Sequence, residues 1–295
     1  MRDYFYKYVD IDTTEKILAN RSFRYNSPLE FNDPFDIQTK LVPEYNLDQF
    51  PLKAMELIER YVKNDISIPG PGNEFTEAIL LLRDGAKNQG YKKEEIEKTT
   101  FPIFGYMLDE YKHLISQLNA HWQRSMAKSR VFCVTEEHDN LLMWAHYAKD
   151  HTGSVIKIAT LPEKDTPLSV AKKVKYKAKP IQFYSLDVII EWLLFGAEPD
   201  LRKFEYTTHA HRKSKIWKYE KEWRVVDMCD YENKTDLYVD HTFYPQQLLS
   251  ILFGCNACNK TITRLTAIAK DINPDVNIYK AKKMHLEYGL EFEKI

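Results

Sequence analysis

From Pro51 to about Ser129, apolar side chains recur three and four residues apart. Examples are Met55, Leu57, Ile58 and Tyr61, the run Ile79 to Leu82, and Met107, Leu108, Tyr111, Leu114, Ile115 and Leu118. That spacing places them on one side of successive helical turns, so the stretch reads as a helical block. Its weakest point is Ile66-Ser67-Ile68-Pro69-Gly70-Pro71-Gly72, whose alternating prolines and glycines make it a loop. The segments on either side have the two-residue period of strands. A chain built this way cannot be all-helical or a pure sandwich. It predicts an α+β fold, a mixed central sheet in one domain over 1–295 with a helical insertion at about 45–129.

Around the insertion the pattern is specific. Tyr4–Val9 reads as a strand, Asp12-Thr13-Thr14-Glu15 opens a helix, Ser22-Phe23-Arg24-Tyr25 is a second strand, and Asn32-Asp33-Pro34 turns the chain. After the insertion come a strand at Arg130–Val134, a short helix at Leu141–Lys149 and a strand at Ser154–Ala159. A further helical block is expected from Leu186 to about Trp217. Strands then follow at Glu220–Val226, Leu237–Val239 and Leu249–Phe253, a helix at Asn259–Asp271, and closing strands near Val276–Tyr279 and Leu290–Phe292.

Composition narrows the chemistry. Glycine is scarce, 9 residues in 295, and neither G-x-G-x-x-G nor G-x-x-x-x-G-K-[ST] occurs, which removes Rossmann, P-loop and kinase readings. Lys plus Arg total 42 against 43 Asp plus Glu, so no global field draws the protein to nucleic acid or a membrane, although a local basic channel fits within that balance. No segment has the ~20 apolar residues a bilayer span needs, and the first residues lack a signal-peptide core. A cytoplasmic protein with no membrane partner is the expectation. Four cysteines, Cys133, Cys229, Cys255 and Cys258, are too few to staple a chain of this size. Cys255-Asn256-Ala257-Cys258 has redox spacing at a strand-to-helix junction. With no second such pair for zinc, and no thioredoxin-like Trp or Pro neighbours, it reads as incidental.

The segment Lys215-Ile216-Trp217-Lys218-Tyr219-Glu220-Lys221-Glu222-Trp223-Arg224 sets two acids at i and i+2 on an expected strand, where they would share a face. Adjacent like charges repel. Such a pair is either a solvated face with Lys218 and Arg224 as counterions, or a catalytic carboxylate with a helper framed by Trp217, Tyr219 and Trp223. His146, between Trp144 and Tyr147, suits a substrate hydrogen bond better than metal ligation, because His151 is five residues away and off its helical face. His209 and His211 are next to Arg212, Lys213 and Lys215, which disfavour a cation and suit a phosphate. No metal is expected.

These clusters lie far apart in sequence, as a site assembled from strand ends and loops requires. Tyr6-Lys7-Tyr8, Phe31-Asn32-Asp33-Pro34-Phe35-Asp36, Phe132-Cys133-Val134-Thr135-Glu136, Met143-Trp144-Ala145-His146-Tyr147 with His151-Thr152-Gly153, and Lys215 to Arg224 resemble, in order over about residues 4–260, the bacterial family called domain of unknown function 2971. That resemblance carries no activity. More distantly, the order of elements is similar to ADP-ribosyltransferases: a strand bearing a polar residue, a helix, a second strand, a mid-chain aromatic segment and a late Glu-x-Glu. The superfamily's usual His or Arg on the first strand is here Lys7, flanked by Tyr6 and Tyr8.

The expectation is therefore an enzyme that cleaves the nicotinamide–ribose bond of NAD as co-substrate and modifies an acceptor, protein or nucleic acid, as a toxin or anti-phage defence effector would. Glu222, Glu220 and His146 are its catalytic candidates. Lys7, Tyr8, Arg24, Asn32, Trp144, Tyr147 and Lys215 are its nucleotide-binding candidates. An oxocarbenium-like transition state calls for the carboxylate, nicotinamide for an aromatic wall, and pyrophosphate for a cation. The rival is a non-catalytic, antitoxin-like recognition module. A metal-dependent nuclease drawing on Asp33, Asp36, Glu220, Lys221 and Glu222 is weaker, because Lys221 falls between the acids and on the opposite strand face.

Overall fold

A computed structural model describes residues 2–39, 47–63, 66–90, 92–180, 184–200, 206–228 and 236–295; Cys229 lies outside them. The strands are β1 (Tyr4–Val9), β2 (Ser22–Asn26), β3 (Ser129–Thr135), β4 (Ser154–Ala159), β5 (Lys172–Lys173), β6 (Lys175–Lys177), β7 (Arg212–Ser214), β8 (Glu222–Met228), β9 (Tyr238–Thr242), β10 (Leu248–Phe253), β11 (Asn277–Lys283) and β12 (Leu290–Lys294). The helices are α1 (Ile11–Asn20), α2 (Phe50–Val62), α3 (Glu74–Gln89), α4 (Lys93–Lys128), α5 (Leu141–Tyr147), α6 (Leu186–Phe195), α7 (Tyr206–His209) and α8 (Asn259–Ile272). The fold class is α+β, with a mixed sheet.

The chain divides into two compact units, one of Met1–Gln38, Ser125–Ala178 and Thr207–Ile295, the other of Thr39–Arg124 and Lys179–Tyr206. The second unit thus draws on two stretches, not on the 45–129 insertion alone. Its core is Phe50, Ile58 and Tyr61 from α2, Ile79 from α3, Met107 from α4 and Ile190, Leu194 and Phe195 from α6.

In the first unit the sheet runs β12-β11-β10-β4-β1-β3-β2-β9, with β8 also on β3 and β5 on β8. Most pairs are antiparallel. β10 and β11 are parallel, joined by the crossover helix α8 as a parallel pair requires. Alternation on β1 decides what each face buries. Phe5 and Val9 join Ile17 and Leu18 of α1 and Leu265 and Ala269 of α8 in the main core. Tyr6 and Tyr8 point the other way, onto Met143 and Trp144 of α5.

β3 organises this unit. β8 follows one of its edges through seven registered pairs, from Ser129↔Met228 to Thr135↔Glu222. Its other edge is divided: β1 meets it at Tyr6↔Thr135 and β2 at Asn26↔Val131. Between those points the Cys133 carbonyl takes Lys7 Nζ at 2.8 Å. A side-chain ammonium thus stands where a backbone donor would be in an unbroken ladder, and the sheet opens into a cleft.

Several expectations need correction. α1 begins at Ile11, because the Asp10 carboxylate, two residues before the expected Asp12, accepts the Thr13 N–H at 2.7 Å as N-cap. The helical block expected from Leu186 to Trp217 stops at Phe195, where Gly196 caps it in the left-handed region. Residues 201–205 of that block lie outside the described ones, and its end is β7 and a 3₁₀ helix, Lys215–Glu220. Glu220 therefore closes a 3₁₀ helix and does not begin a strand. Lys221, left-handed at φ 45°, makes the bend into β8. The lysine-rich β5 and β6 are two and three residues long, too short for any periodicity to show.

Gly254 follows β10 where the chain passes closest to the α5–β4 loop. A Cβ there would run into the His151 carbonyl oxygen and approach Trp144 to 3.1 Å, and neither neighbour can move without shifting backbone or core. Gly254→Ala should cost more than ~2 kcal/mol in urea unfolding. Gly105→Ala, in α4 with open space around the new methyl, should stabilise by ~0.5–1 kcal/mol.

Candidate functional site

Where β1 and β2 part over β3 there is a cavity of about 420 Å³. Its walls come from the first unit: β1, β2, the turn after β2, β3, α5, β7, the end of the 3₁₀ helix and the start of β8. At its floor lies a network of five buried charges.

Arg224 is fully buried, and each of its five N–H groups has an acceptor. Nε and Nη2 reach the two Glu222 oxygens at 2.8 and 3.0 Å. Nη1 and Nη2 reach the two Asp36 oxygens at 2.8 and 2.6 Å, and Nη1 also donates to the Ala210 carbonyl at 2.8 Å. Lys213 Nζ uses its three donors on Glu220 Oε2 at 2.6 Å, Glu222 Oε2 at 3.2 Å and Asp36 Oδ2 at 3.3 Å. The Tyr147 hydroxyl donates to Glu220 Oε1 at 2.6 Å. The left-handed bend at Lys221 lets Glu220 and Glu222 meet on one ammonium although only Glu222 is in the strand.

Three carboxylates share two cations, so fully ionised the network holds one surplus negative charge away from water. Glu220 carries that stress. Burial first, and the Glu222 charge second, push its pKa up against the pull of Lys213. At Glu222 burial also opposes ionisation, but Arg224 and Lys213 outweigh it and hold the group well below the usual carboxylate range. Lys213 is raised by Glu222, Asp36 and Glu220 despite its burial. Burial and the Glu220 charge raise the Tyr147 phenol, which stays protonated as a donor.

Of the sequence candidates, Lys7, Tyr8, Arg24, Asn32, His146, Tyr147, Glu220 and Glu222 all line the cavity. Two do not. Trp144 is fully buried against Tyr8, with its Nε1 on the His138 carbonyl at 2.8 Å, so its ring has no face to offer a ligand. Lys215 is exposed at the start of the 3₁₀ helix. Arg24 faces the cavity, but its guanidinium is held by Asp240 through two 2.9 Å bonds and stacked on Tyr238. His146 is placed by Nδ1 against the Tyr219 hydroxyl at 3.0 Å.

Asp36, Lys213 and Arg224 stand outside the catalytic and nucleotide-binding candidates of the leading reading. The sequence places Lys213 among bases that suit a phosphate, Asp36 in the weaker nuclease reading and Arg224 as a counterion of the two acids. The signal for Arg224 was its place two residues after Glu222, on the same strand face. Among the described residues no group of His, Cys, Asp and Glu could hold a metal ion, and no helix is long and apolar enough to cross a membrane.

Residues 143–225 match the family described as Protein of unknown function (DUF2971). No curated protein and no solved structure matches the chain. The matched DUF2971 segment runs from α5 to β8 and contains every network member except Asp36.

The two glutamates should respond unequally to substitution at neutral pH. Glu222→Gln takes the doubly hydrogen-bonded carboxylate from Arg224, turns an amide N–H₂ toward the buried cations and should cost ~3–5 kcal/mol in urea unfolding. Glu220→Gln removes the surplus charge, keeps an oxygen for Lys213, and should cost less than ~1.5 kcal/mol.

The pH dependence follows from the same shifts. The stability Glu222 contributes is present above the ordinary glutamate pKa and is lost as pH falls toward its depressed value. The raised Glu220 favours folding below the ordinary value, and that advantage is lost as pH rises through its own pKa. Glu220→Gln should therefore flatten the decline of stability on going from pH 5 to 8, seen in unfolding curves taken across that range.

Proposed function

We propose that the cleft binds NAD, breaks its nicotinamide–ribose bond and passes the ADP-ribosyl group to an acceptor. The observation that carries this reading is the pair of unlike carboxylates at the cavity floor, one locked ionised and one poised to take a proton. When the C1′–N bond breaks, its electrons leave with nicotinamide and positive charge develops on the ribose. Glu222, ionised at every ordinary pH, supplies fixed negative charge there. The acceptor then attacks C1′ and gives up a proton, for which the raised carboxylate of Glu220 is suited, with Tyr147 and Lys213 holding it in place. Tyr147, His146 and Phe31 offer ring faces for nicotinamide, and Lys7 is the cation closest to hand for a phosphate.

The complete pairing of Glu222 favours a second reading, in which the network is a latch tying the turn after β2 to β7 and β8 in a recognition module. Catalysis then plays no part.

Calorimetric titration with NAD, and chromatography of nicotinamide released in the presence of cell lysate, separate the two. The transferase reading expects both signals, and it expects Glu222→Gln to lower turnover by roughly 10²–10³-fold in samples whose circular dichroism shows them folded. If NAD gives no heat and no nicotinamide appears, the recognition module takes its place.

A further inference from the structure

Outside the cleft, one surface of the first unit departs sharply from the even charge balance of the chain. β5 and β6 present Lys172, Lys173, Lys175 and Lys177 to solvent. β6 pairs in parallel with β7, Lys177 beside Ser214, so this edge continues directly into the 3₁₀ helix with its exposed Lys215 and Lys218. Glu136 pairs with Lys173 and Glu137 with Lys221. Lys172, Lys175, Lys177, Lys215 and Lys218 pair with no acid among the described residues. Five unneutralised lysines, on the consecutive short strands β5 (against β8) and β6 (against β7) and on the helix that follows β7, form a cationic stripe.

Aromatic rings run beside the stripe and into the cleft. His146 lines the cavity, is 6.2 Å from the Tyr219 ring and 6.5 Å from Trp217, and those two are 6.0 Å apart. Trp217 stands 5.1 Å from Lys213 Nζ, the hub of the carboxylate network, and its neighbour Ile216 is 81% exposed. Cations that follow a phosphate backbone, next to rings on which bases stack, are the means by which single strands are held without a groove to read.

We propose that this surface binds single-stranded nucleic acid through phosphates on the lysine stripe and bases on Trp217 and Tyr219, and leads an acceptor nucleotide to Glu220. The binding stands on the surface itself; the acceptor role rests on the transferase reading.

The test is fluorescence anisotropy of labelled single strands of about 12 nucleotides, one RNA and one DNA, with no NAD present. Tighter binding of either, or equal binding of both, supports the proposal. Affinity should fall on the order of 50-fold between ~50 and ~200 mM salt, as four or five phosphate contacts imply. The double variants Lys175→Glu/Lys177→Glu and Lys215→Glu/Lys218→Glu, all at exposed positions, should each weaken binding tenfold or more. Trp217→Ala should weaken it about 5- to 150-fold.

The proposal is overturned if neither strand binds, if folded variants bind like the unmodified protein, or if poly-glutamate binds as tightly as the oligonucleotides, which would make this a surface for an acidic protein. If the strands bind and NAD does not react, the surface stands and the acceptor role falls.

Discussion

A guanidinium with no exposure to water is unstable unless all of its donors are met, and Arg224 meets that demand from three separate parts of the chain. Asp36 comes from the turn after β2, the Ala210 carbonyl from the segment before β7, and Glu222 from its own strand. Removing any of these leaves a buried guanidinium N–H without an acceptor. The walls of the cavity are therefore coupled: the turn after β2, β7 and β8 hold their positions together.

The coupling also accounts for how the two glutamates differ. Glu222 has two cations and is fixed as an anion. Glu220 shares one of those cations with two other carboxylates and relies on a phenol for its second bond. Two chemically identical side chains two residues apart are thereby driven in opposite directions by their surroundings. A site meant to stabilise charge and also to move a proton needs that difference, and a merely structural latch does not.

The divided edge of β3 is the second constraint. A continuous ladder would leave no room for a ligand at that level of the sheet. Here Lys7 satisfies the Cys133 carbonyl in the gap, so the opening does not leave a buried backbone group unpaired. The lysine stripe and the rings of Trp217 and Tyr219 adjoin the same opening through β7 and the 3₁₀ helix, so cations, rings and buried carboxylates follow one another along the chain.

Periodicity alone determined the α+β class, the helical run after Pro51, and strands β1 to β4, β8, β10 and β11, because a half-buried strand and an amphipathic helix each impose their repeat on the sequence. The polar and aromatic clusters at Lys7, Asn32, His146, Tyr147, Glu220 and Glu222 could also be picked out as unusual. That they meet in one cavity is what the sequence reading expects; where they meet, and that Trp144 stays out, depends on how β1 and β2 divide the edge of β3. Glu220 was read as a strand residue because nothing in the local sequence marks Lys221 as left-handed. Trp144 read as a ligand wall because an aromatic residue looks the same in a core as in a site, and only packing against Tyr8 buries it. Arg224 is legible as a counterion of the two acids, but not as a buried one, and Asp36 and Lys213 are legible only as charges: their pairing lies in distances across the fold, and it is those distances that set which carboxylate stays ionised.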